Sequence, residues 1–243
     1  MKQFPKTELM SVVSVVFGIV GLVMQNWLCK SADFQGLLIP GHFATGLSIV
    51  LLLVVAAGNL LILEDVKTGG EYARLFPKSI SAAVGSFIGA AGILFSAFSF
   101  VGNGILPLLV TGLGILSAIA LGYAGYCRLV GKPSCSLLFA AMAVFLIFRT
   151  LASCQVWTAE VQVQTFLFPL LAHLSLLLAS YYRAALGADL KNCRQYMFFR
   201  QIAAFCCLLS SVWGEPVFFI SCAILLVTDF CEPEFYGKYA NSN

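Results

Sequence analysis

Two residues whose types could do chemistry stand inside apolar runs of this sequence. Arg149 lies in "VFLIFRTLASCQVW", residues 144–157, a stretch apolar enough to sit in lipid. A guanidinium there is a fixed positive charge with five N–H donors, suited to holding a carboxylate, a phosphate or backbone carbonyls. Keeping it in a bilayer costs about 2.5 kcal/mol or more, so such a group faces a bundle interior, a partner or water. If Trp157 marks the outer interface, Arg149 lies roughly 12 Å below it at the helical rise. Its own helix offers Thr150 and Ser153 but no acid one turn away, so its counter-ion belongs to another element. The outer acids are Asp33, Glu160 and Glu215, and the last two are the partners expected. His173 falls near the middle of the next apolar run, and Pro169 one turn earlier frees the carbonyl of Thr165 from its helical bond. Because the two runs are antiparallel neighbours, Arg149, His173, Glu160 and Glu215 form one candidate polar pocket. It would hold a small anion or relay protons. The competing reading is a structural knot that binds helices together.

No other motif carries chemistry. The sequence contains no H-E-x-x-H, no glycine-rich phosphate loop, no serine elbow and no C-x-x-C pair, and two histidines do not build a histidine-rich metal site. The expectation is a non-enzyme with no cofactor and no metal. Most of the nine cysteines fall in apolar runs, where they act as small hydrophobes; Cys29 and Cys154 both reach the outer face and are the one pair that an oxidising exterior would bridge.

The elements that must position these residues follow from composition. With 60% hydrophobic and 10% charged residues and a mean hydropathy of +0.94, the chain belongs with integral membrane proteins. Continuous apolar blocks exclude a β-barrel, whose strands alternate. A net charge of +3 gives no nucleic-acid reading, since positive charge in such chains is placed on cytoplasmic loops. Runs of spanning length occur at 9–28, 43–63, 79–101, 105–126, 136–155 and 163–185. The remaining apolar stretch breaks at "WGEP" into two short helices, with Pro216 in the first turn of the second. The prediction is one all-α bundle over 1–243 with about eight spans, the final pair short enough to thin the bilayer or be re-entrant.

Alternation of loops then sets orientation. With both termini in the cytoplasm, twelve of the fourteen basic residues fall inside and only Lys30 and Arg149 do not. Trp27, Trp157 and Trp213 become anchors at the outer interface, and Tyr123, Tyr126, Tyr181 and Tyr182 fall at inner helix ends. The run of small residues Ala82, Gly85, Gly89, Gly92 and Ser96 in the third span, with Gly114, Ala118, Gly122 and Gly125 in the fourth, predicts a tight hairpin of those two. Asn59 is expected to bond between helices.

The segment from Phe148 to Arg200, with "FRTLASCQVW" followed by an apolar helix ending in "YYRAA", resembles a family of polytopic membrane proteins common in anaerobic Gram-positive bacteria, to which no activity is attached. The resemblance implies a bacterial cytoplasmic membrane and makes Arg149, Trp157, Tyr182 and Arg183 members of a pattern. Two readings of function come from the sequence. One is a transporter or transport-accessory protein with a polar pocket and a small anionic ligand. The other is a structural or regulatory membrane protein whose partner binds basic cytoplasmic loops such as Arg183 to Arg200. The lipid bilayer is the partner common to both.

Overall fold

The structure is a computed structural model that describes residues 6–31, 42–64, 75–99, 104–132, 134–157, 163–188 and 192–229, without the side chains of 6–8, 156–157 and 163–165. It is all-helical: α1 (Lys6–Lys30), α2 (Phe43–Leu63), α3 (Ile80–Ser99), α4 (Ile105–Val130), α5 (Leu138–Trp157), α6 (Val163–Ala185), α7 (Cys193–Ser210) and α8 (Pro216–Thr228). The first six are long and apolar enough to cross a membrane, and the chain is a multi-pass membrane protein. Among the described residues there is no strand.

Local chemistry sets the helix ends. His42 caps α2, its Nδ1 accepting from the Ala44 N–H at 3.1 Å. Gly131 ends α4 in the left-handed region at φ 78°, and its N–H is donated back to the Cys127 carbonyl. Gly214 turns the chain at φ 94° into α8, whose first residue is Pro216. At 13 residues, α8 is about 20 Å long, well short of a hydrocarbon core of about 30 Å.

Consecutive helices from α3 to α8 pack on one another, and α8 returns to α3, closing a ring of six. The pair α1 and α2 lies against the outside of α7. Aromatic and aliphatic side chains fill the ring, among them Phe145 from α5, Leu176 from α6, Phe205 from α7 and Phe218 and Phe219 from α8.

The predicted hairpin of α3 and α4 is present, but its small residues divide differently from the expectation. On α4, Gly114 and Gly125 admit Ala97 and Ser86 of α3, whereas a Cβ added at Gly122 would meet nothing. On α3, Gly85, Gly89 and Gly92 face Thr228, Leu225 and Ser221 of α8. The glycine stripe is therefore the seat of the last helix, which nestles so close that a Cβ at Gly89 would lie 3.0 Å from the Leu225 side chain. Sequence adjacency favoured α4 as the partner; ring closure supplies α8 instead. Asn59 also departs from expectation: its amide donates to the Val55 carbonyl of its own helix at 2.9 Å.

Candidate functional site

The short helix α8 begins after one acid and ends before another, and each carboxylate is taken by arginine from elsewhere in the ring. At its start, the Glu215 side chain leaves the N-cap position unbonded and turns to Arg149 of α5, whose Nη2 donates to Glu215 Oε2. Ser96 of α3 donates to the same oxygen at 3.3 Å. Arg149 is 0% exposed, while the Glu215 side chain keeps 31% of its surface open. The guanidinium also lies over the Phe218 ring, 5.2 Å from its centroid. Phe218 in turn stacks on His173 of α6 at 5.7 Å, and Phe219 meets the other side of that imidazole edge-on at 5.3 Å. Pro169 does not send His173 to the freed Thr165 carbonyl. The ring instead bonds the carbonyl of Pro169 itself, Nδ1 to oxygen 2.7 Å, one turn back along its own helix.

The structure therefore brings together three of the four pocket residues. Arg149 and Glu215 are in direct contact, and His173 joins them through the shared face of Phe218. Glu160 lies outside the described residues. Of the three anchors, Trp27 is exposed and packs edge-on against His42 at 5.1 Å, and Trp213 donates its indole N–H to Gln25 at 3.3 Å. Trp157 is the last residue of α5, and its side chain is outside the described ones. Cys29 and Cys154 both carry free thiols.

A second cluster, missed from sequence, surrounds Asp229 at the other end of α8. Arg128 of α4 donates to Oδ1 at 2.7 Å. Arg183 of α6 and the Tyr196 hydroxyl of α7 donate to Oδ2 at 3.2 and 2.6 Å. Arg200 of α7 donates to the Asp229 backbone carbonyl at 2.5 Å and to the Ser11 hydroxyl of α1 at 3.0 Å. Phe76 covers the pair, its ring centroid 3.3 Å from the Arg183 guanidinium carbon and 4.9 Å from that of Arg128. All three arginines and the aspartate are buried. Burial alone would push the Asp229 carboxyl up, but Arg183 and Arg128 outweigh it and hold the group well below the usual carboxylate range.

Sequence reasoning assigned Arg128, Arg183 and Arg200 to loops because each falls near a helix end on the basic side. The signal that could have found the cluster is Asp229 itself, an acid directly after the last apolar run with no solvating loop before it. The same burial removes Arg183 and Arg200 from any loop surface; of the described arginines in that stretch, Arg194 alone is part exposed.

Between the clusters runs the inner face of α6. His173, Ser180 and Arg183 share it at spacings of seven and three. A cavity of about 20 Å³ beside Asp229, lined in part by Ser180, Arg183 and Tyr196, is large enough for one water with polar partners on several sides. Among the described residues, no cluster of three His, Cys, Asp or Glu side chains forms a metal site. Set against known protein families, curated proteins and solved structures, the chain matches none.

Proposed function

We propose that this membrane protein is of the transporter or transport-accessory kind, and that it binds a small organic anion at Arg149. One observation carries the reading: a wholly buried guanidinium held by a carboxylate that is itself about a third open and is mounted on a separate short helix. Burying a cation inside a bundle is costly, and this one is balanced by a carboxylate that reaches the surface, unlike the sealed Asp229. A carboxylate that reaches the surface is one that a competing carboxylate can displace, because arginine recognises both with the same planar fork. Its setting would be a bacterial cytoplasmic membrane with the Asp229 end toward the cytoplasm, an orientation supported by the weight of basic residues at that end.

The test is thermal unfolding of purified protein in detergent against acetate, lactate, succinate, citrate, phosphate and chloride. At least one carboxylate is expected to raise the melting temperature, and Arg149→Gln is expected to lose that rise. No response to any anion, or an equal response in Arg149→Gln, overturns the reading.

The second reading, a structural or regulatory protein recognised through basic loops, is favoured by one fact: among the described residues, all four buried arginines already have internal partners. It predicts that crosslinking in native membranes recovers a protein partner through the surface around Arg194. Recovery of lipid and self alone counts against it.

A further inference from the structure

Under the transport reading, on which the gates proposed here rest, an anion has to pass a ring filled with side chains. The two ends of α8 supply the means. Each acid in the two clusters belongs to α8 or its caps, and each arginine belongs to the surrounding wall: Arg149 on α5, Arg128 on α4, Arg183 on α6 and Arg200 on α7. Movement of α8 at either end thus withdraws a carboxylate from an arginine that stays in place. The helix is built to move as a unit. It is only 13 residues long, is joined to α7 through Gly214 at a φ of 94°, where an added Cβ would meet nothing, and seats Ser221, Leu225 and Thr228 against glycines of α3 in place of interlocking side chains.

We propose that Glu215 and Asp229 are two alternating gates on one lever. Release of Glu215 from Arg149 opens the ring from one membrane face, release of Asp229 from Arg128 and Arg183 opens it from the other, and the substrate is a small carboxylate anion that replaces whichever acid has left. With both acids engaged, the structure is the occluded form. Its interior barrier is the His173, Phe218 and Phe219 stack under the first gate and the packed residues Met142 and Leu226 before the second.

The chain carries a built-in reporter. Cys222 lies on α8 seven residues from Glu215 and seven from Asp229, about 10 Å along the helix from each, and is 0% exposed. Vesicles of each orientation are treated with a membrane-impermeant maleimide, and modification of Cys222 is mapped by mass spectrometry in wild type, Glu215→Gln and Asp229→Asn. Wild-type Cys222 is expected to be protected from both sides. Each variant is expected to raise labelling at least tenfold from one side only, the two variants from opposite sides. If Asp229→Asn does not yield monodisperse protein, Arg183→Gln weakens the same gate while leaving Arg128 on the carboxylate, and the same sidedness is expected.

Labelling from both sides in either variant, from the same side in both, or from neither side overturns the gates. The two ideas fail separately. Carboxylate stabilisation of wild type without sided labelling leaves the anion reading standing and removes the gates. Sided labelling without stabilisation by any carboxylate supports the gates and removes the anion.

Discussion

At the start of α8 one arginine meets a carboxylate that keeps 31% of its surface open, whereas at its end two arginines and a tyrosine hold a carboxylate with 8%. A third arginine there takes the backbone carbonyl. The helix dipole accounts for much of the difference. Glu215 sits at the positive end, where an anion is already favoured, and a single cation suffices. Asp229 sits at the negative end, beside carbonyls that repel it, so it survives burial only with more positive charge around it. Two acids on one helix thus carry unequal obligations, and the unequal arginine count follows from the direction of the chain.

The largest way to break that comparison is Asp229→Asn. It strands Arg128 and Arg183 without their charge partner, and a loss of about 3–5 kcal/mol is expected in reversible unfolding, more than for Arg149→Gln at the other end. Next comes Gly89→Val, which forces bulk between α3 and the middle of α8. An overpacking loss of about 1–3 kcal/mol is expected, and because the seat lies between the two ends, protection of Cys222 should fall from both sides together. Arg149→Gln comes third, at about 1–2 kcal/mol, since the abandoned Glu215 is exposed enough to regain water. The double variant Arg149→Gln with Glu215→Gln should be more stable than Glu215→Gln alone, which leaves a buried cation.

The smallest effect is in pH. The folded-state value of Asp229 lies below its unfolded value of about 4, so its contribution is complete above that pH and disappears as pH falls through the folded value. The stability gap between wild type and Asp229→Asn is therefore expected to be flat from pH 7 to pH 5 and to shrink only in stronger acid. A gap that changes between pH 7 and pH 5 would show that the arginines do not keep this carboxyl ionised.

Legibility in the sequence divides along the same line. The helix positions were legible, because spans of continuous apolar residues leave few alternatives in lipid. The partner of Arg149 was legible as one of two acids, Glu160 or Glu215, since a charge in mid-span demands a counter-ion; the contact with Glu215 came from the structure. The Asp229 cluster was not. Arginines at helix ends satisfy the rule for cytoplasmic loops whether they point outward or inward, so Arg128, Arg183 and Arg200 gave no sign of burial. The partner of the glycine stripe was hidden for another reason: Ser96 and Glu215 touch across 119 residues, and a pattern of small residues says that something approaches closely without saying what.

The shortness of α8 also bears on how the protein is made. A segment of 13 apolar residues bracketed by two acids offers the insertion machinery too little to be released into lipid on its own. It has to enter against a wall that already exists, with the arginines waiting and the α3 groove vacant. Since it follows α3 to α7 along the chain, synthesis delivers it after the wall that it completes, in the order that assembly requires.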